Sequence, residues 1–73
     1  MTTPLLATTL VRAEHVRSFQ VHPASLAGWE ASQHEDERIV HHERHMDWHR
    51  VEQTLTRFTR EIAELREQGW RDA

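Results

Sequence analysis

The C-terminal third of the chain, residues 47–69 (DWHRVEQTLTRFTREIAELREQG), decides the fold. Its apolar residues are separated by alternating steps of three and four, which places them on one stripe of an α-helix. These residues are Trp48, Val51, Leu55, Phe58, Ile62 and Leu65. The positions between them are mostly Arg, Glu, Gln and Thr, which suit a solvent-exposed face. The pattern predicts one long amphipathic helix.

Both ends of this helix are marked by capping residues. Asp47 can accept hydrogen bonds from the free backbone N–H groups of the first turn, as an N-cap residue does. Gly69 can adopt the left-handed conformation after the last turn. Trp70 then lies where the Schellman motif packs an apolar side chain against Leu65. The sequence therefore predicts a helix that starts near Asp47 and stops at Gly69.

The apolar stripe does not continue towards the N-terminus. Extended backwards from Trp48, it would pass through Arg44, His41 and Glu37, which a buried stripe would not contain. We therefore expect a different structure in the segment before Asp47.

Three segments before the helix have the composition of β-strands: residues 15–22, 28–34 and 38–45. They contain β-branched or aromatic residues, and Pro, Gly and acidic residues separate them. The prediction is an α+β fold, in which a three-stranded antiparallel sheet is followed by one long C-terminal amphipathic helix (βββα). The alternative is an all-α helical hairpin, with a first helix over residues 25–45.

A chain of 73 residues is long enough for one domain only. We expect residues 1–9 to form a flexible N-terminal tail and residues 10–73 to form a single small domain. The chain has no cysteine, so disulfides cannot stabilise it. Domains of this size often depend on a partner subunit or a metal ion for stability.

The predicted function is that of a small non-catalytic interaction module, which binds protein and forms a homodimer. A two-layer domain this small is expected to leave part of the helix stripe uncovered, and tryptophan is enriched at the centres of interfaces. The predicted interface residues are Trp29, Trp48, Val51, Leu55, Phe58, Ile62, Leu65 and Trp70.

Histidine is unusually abundant, with seven residues. His41, His45 and His49 follow one another at intervals of four, and two imidazoles at this spacing on a helix can bind zinc. Because the stripe argument breaks this segment into a strand and a helix, we predict no metal and no cofactor. A histidine-based metal site or a pH switch remains an alternative.

A third alternative is a nucleic-acid-binding accessory protein that uses an Arg/His-rich strand. A locally basic run contains Arg38, His41, His42, Arg44, His45, His49 and Arg50, with Trp48 inside it. The formal net charge of −3 disfavours this alternative, because phosphate binding needs a positive surface.

Enzymatic activity is not expected. No motif places a nucleophile beside a base, and two glycines cannot form a glycine-rich phosphate loop. The N-terminal residues lack the basic and apolar regions of a signal peptide, and no apolar stretch is long enough to span a bilayer. These observations predict a cytoplasmic protein that does not bind membranes.

Overall fold

The computed structural model of the chain describes residues 3–73. Five strands and one helix follow one another in the order β1 (Leu6–Arg12), β2 (His15–Pro23), β3 (Trp29–Glu35), β4 (Arg38–His45), α1 (Trp48–Glu67) and β5 (Arg71–Asp72). The strands form one antiparallel sheet in the spatial order β4-β3-β2-β1-β5. The helix packs across one face of this sheet.

The helix has the predicted ends. The Asp47 side chain accepts a hydrogen bond from the His49 backbone N–H at 3.1 Å, so Asp47 is the N-cap. At the other end Gly69 has a φ of +97°. The Trp70 N–H donates to the Leu65 carbonyl at 3.0 Å and the Gly69 N–H to the Arg66 carbonyl at 3.2 Å. These two bonds define a Schellman motif, and that prediction is confirmed.

The sheet is larger than predicted. The α+β class, the antiparallel sheet and the C-terminal helix are confirmed, but the expectation of three strands is wrong because β1 and β5 join the sheet. Residues 6–9, which the sequence placed in a flexible tail, belong to β1. The all-α alternative is ruled out, since residues 29–45 form two strands.

A tight polar turn joins β3 to β4. Asp36 and Glu37 both have positive φ, 48° and 70°, which a two-residue hairpin turn of type I′ requires. The Asp36 carboxylate stabilises this turn by accepting the Val16 backbone N–H at 2.8 Å and contacting the His15 ring at 2.9 Å. These bonds lower the pKa of Asp36, the His15 side chain contributing most.

The core lies between the sheet and the helix. Phe19 of β2 and Phe58 of α1 meet edge to face, with ring centroids 5.3 Å apart. The buried apolar residues that surround this pair are Leu10, Val21, Ala31, Val51, Ile62, Leu65 and Trp70. Residues from β1 to the segment after the helix therefore share one core.

Leu10→Ala tests the contribution of β1 to this core. Leu10 is 0% exposed, so its truncation leaves a cavity and should lower the free energy of unfolding by about 2–5 kcal/mol in a urea titration. Leu26→Ala is the matched control, because Leu26 is 90% exposed and its truncation should cost less than about 0.5 kcal/mol. Equal losses for the two variants would contradict the placement of β1.

The two glycines should differ in their tolerance of alanine. Both have positive φ, which costs a non-glycine residue about 1–2 kcal/mol. A Cβ at Gly28 would also lie 2.5 Å from the His45 backbone oxygen, whereas at Gly69 the nearest atom is 4.0 Å away. We expect Gly28→Ala to lower the urea midpoint more than Gly69→Ala; the reverse order would contradict the close approach of Gly28 to the end of β4.

Candidate functional site

The predicted interface on the helix is mostly buried within the chain itself. The sheet covers Val51, Phe58, Ile62, Leu65 and Trp70, and Leu55 is partly buried beside them. These side chains stabilise the fold and have little surface left for a partner. Of the predicted interface residues, Trp48 is 45% exposed and Trp29 is half-buried.

The two tryptophans form a small apolar surface at the N-terminal end of the helix. Their ring centroids are 5.3 Å apart, with a tilt of 60°. Met46, which links β4 to the helix, is 65% exposed. This surface therefore lies next to the end of β4.

The three histidines of the alternative metal or pH site do not share a face. His41 and His45 lie on β4 and point to the helix side of the sheet, where their contacts are with Glu43, Arg57 and Thr54. His49 lies in the first turn of the helix. Its Nε2 accepts a hydrogen bond from the Gln53 Nε2 at 3.3 Å.

The carboxylate of Glu43 is the centre of a polar cluster between β4 and the helix. Its Oε1 lies 2.7 Å from the His41 Nε2 and its Oε2 lies 2.9 Å from the His45 Nε2. The Arg57 Nη2 donates to Oε2 at 3.3 Å. The His45 Nε2 also lies 3.1 Å from the Thr54 Oγ1. We call these five residues the Glu43 cluster.

The pKa of Glu43 lies below its ordinary value. Burial alone would raise the pKa, but the hydrogen bond from His41 and the positive charge of Arg57 together outweigh this effect. Glu43 is therefore ionised at neutral pH. In this arrangement two imidazoles contact different oxygens of one carboxylate, and Arg57 forms an ion pair with it. Within residues 3–73, no three His, Cys, Asp or Glu side chains are grouped so that they could hold a metal ion.

The basic run predicted from the sequence is divided between the two faces of the sheet. Side chains alternate along β4, so His42 and Arg44 lie on the face opposite the helix while His41 and His45 lie beneath it. The Arg44 Nη2 donates to the Ala27 carbonyl at 3.1 Å. Arg50 is an exposed residue of the helix. The structure therefore does not gather these side chains into one patch.

The face of the sheet opposite the helix, which we call the open face, carries small and uncharged residues at its centre. Two rows cross the four long strands. One row contains Ala7, Gln20, Ser32 and His42, and the next contains Thr9, Ser18, His34 and Ile39. Neither row contains Asp, Glu, Lys or Arg.

The outer edge of β4, which we call the free edge, carries backbone groups that no other described strand pairs with. The Asp36 N–H donates to the Val16 carbonyl at 2.8 Å. This bond shows that the even-numbered residues of β3 direct their backbone hydrogen bonds towards β2. Because backbone bonds alternate sides along an antiparallel strand, the odd-numbered residues of β3 bond to β4. Their partners at 41, 43 and 45 are odd-numbered too. The backbone groups of His42 and Arg44 therefore point away from the sheet.

The half-polar composition of Arg38–His45 is typical of an edge strand or of a strand with one exposed face. The sequence could not show that β4 is an edge strand, because sheet order depends on where the other strands pair.

Comparison with known proteins gave no relative: no protein-family model, curated protein or solved structure matches the chain. The helix of the described region lacks the apolar length that crossing a bilayer requires.

Glu43→Gln tests the Glu43 cluster through the pH dependence of stability. A carboxylate whose pKa is lower in the folded state stabilises the fold above its unfolded pKa, and this contribution is lost as the pH falls through the folded pKa. The stability of the wild type should therefore drop below pH 4.5, the ordinary value for this group, more steeply than that of Glu43→Gln.

Urea titrations at a series of pH values measure this difference. Glu52→Gln, which changes an exposed helix residue, is the control and should follow the wild type. Parallel curves for the wild type and Glu43→Gln would contradict the role of the cluster.

Proposed function

We propose that this chain is a non-catalytic protein-interaction module that acts as a homodimer, and that it associates through the free edge of β4. The observation that carries the proposal is the position of β4. It is an eight-residue strand at the border of the sheet, and no other described strand pairs with its outer side. An exposed row of N–H and C=O groups is a template for a strand of another chain.

The composition of β4 supports this proposal. Proteins that avoid edge pairing place lysine or proline on the edge strand, or bend it with a bulge. β4 contains no proline, and its charged residues are Arg38, Glu43 and Arg44. A register irregularity lies opposite Gln33 and His34, near one end of the strand, and leaves residues 41–45 in regular register. The inward-pointing carboxylate of Glu43 pairs with Arg57 and contacts two histidines, so it is not an unpaired charge that would protect the edge.

The size of the domain also favours association. Small domains without disulfides commonly gain stability from a partner subunit. The exposed surface of Trp48 and Met46 lies beside the end of β4, where a paired strand would continue. Tryptophan contributes strongly to binding when it is covered by a partner.

Sedimentation equilibrium tests the proposal directly. The wild type should sediment as a dimer, and a monomeric mass at about 100 µM protein, where even a weak dimer would form, would overturn it. The edge is tested by His42→Pro, which removes an outward-pointing N–H and should leave the bonds to β3 intact. We expect this variant to be a folded monomer by circular dichroism and sedimentation.

His42→Ala is the matched control for this variant. It removes the same side chain but keeps the N–H, so it should remain a dimer. If His42→Pro remained a dimer as well, association would not use the free edge.

A further inference from the structure

We infer that two copies of this chain pair β4 against β4 in antiparallel orientation, around a two-fold axis at His42. This inference rests on the proposed homodimer and names its register. The ten strands of the two copies would then form one continuous sheet with a helix from each copy on the same face.

Hydrogen bonding restricts the possible registers. A symmetric antiparallel pair must place outward-pointing backbone groups opposite one another, and on β4 these belong to His42 and Arg44. A two-fold axis can then lie at residue 42, 43 or 44, since an axis at residue 41 places neither His42 nor Arg44 opposite an outward-pointing group of the regular part of the strand. Each choice sets which side chains of the two copies are direct neighbours.

Charge excludes two of the three registers. An axis at residue 43 places Glu43 opposite the partner's Glu43, and an axis at residue 44 places Arg44 opposite the partner's Arg44. Like charges directly opposite one another on paired strands are destabilising.

The axis at His42 brings together compatible side chains. Glu43 lies opposite the partner's His41, which repeats between the copies a pairing that already occurs within each one at 2.7 Å. His42 lies opposite the partner's His42, and Arg44 faces the irregular segment of the partner strand around Val40, which is uncharged. In this register no Arg, Asp or Glu lies opposite a residue of like charge.

The same register brings exposed apolar residues to neighbouring strands. In a two-fold antiparallel pair, the end of one β4 lies beside the beginning of the other. Met46, just after β4, and Ile39, near its start, are each 65% exposed. The pairing would therefore place exposed apolar surface of each copy beside that of the other.

The absence of cysteine from the chain makes the register directly testable. In the inferred pairing the two His42 Cα atoms form a hydrogen-bonded pair about 5.5 Å apart, within the range that a disulfide spans. His42→Cys should therefore form a reducible dimer under mild oxidation. Two Arg44 Cα atoms would be offset by four residues, about 13 Å along the strands. Arg44→Cys is therefore the matched control and should stay uncrosslinked.

The outcomes separate the register from the proposed function. Efficient crosslinking of His42→Cys, without crosslinking of Arg44→Cys, supports the axis at His42. Crosslinking of Arg44→Cys alone, or of neither variant while the wild type sediments as a dimer, overturns the register and leaves the homodimer standing. A monomeric wild type overturns both. Circular dichroism of the reduced variants verifies that each is folded.

Discussion

The structure depends on the packing of a single helix across one face of a five-stranded sheet. The edge-to-face contact between Phe19 and Phe58 lies in the middle of this interface. The same core includes Leu10, which precedes Phe19 in the sequence, and Trp70, which follows Phe58. Most of the helix stripe is buried in this packing, and of its residues Trp48 keeps the largest exposed surface. The surfaces that remain are the open face, which the helix of the described residues does not cover, and the free edge of β4, where the sheet ends.

The helix was predictable from the sequence because all of its signals are local. The stripe, the N-cap at Asp47 and the Schellman motif at Gly69 each depend on residues within a few positions of one another. Strands β2 to β4 were also recognisable. β1 was missed because small and polar residues separate Leu6 from Leu10, which weakens the alternation. β5 has only two residues, and its strand conformation depends on pairing with β1.

The candidate site was less predictable than the fold. The intervals of four between His41, His45 and His49 suggest a helical face, but two of these residues lie on a strand and one on a helix. The negative charge of Glu43 is paired with Arg57, which lies near β4 only because the helix packs on the sheet. Likewise, the helix stripe could be recognised as apolar, but whether it is covered depends on the width of the sheet. Such questions are settled by long-range pairing, which no local pattern encodes.

The strand order has a consequence for how the chain reaches this structure. From β1 to β4 each strand pairs with its neighbour in the sequence, so these contacts close short loops and have low contact order. The pairing of β5 with β1, through Leu10 and Asp72, instead joins the two ends of the described chain. This step carries the largest loop-closure entropy of any strand pairing in the sheet. We therefore expect the C-terminal segment, whose Trp70 is buried in the core, to pair with β1 after the hairpins from β1 to β4 have formed.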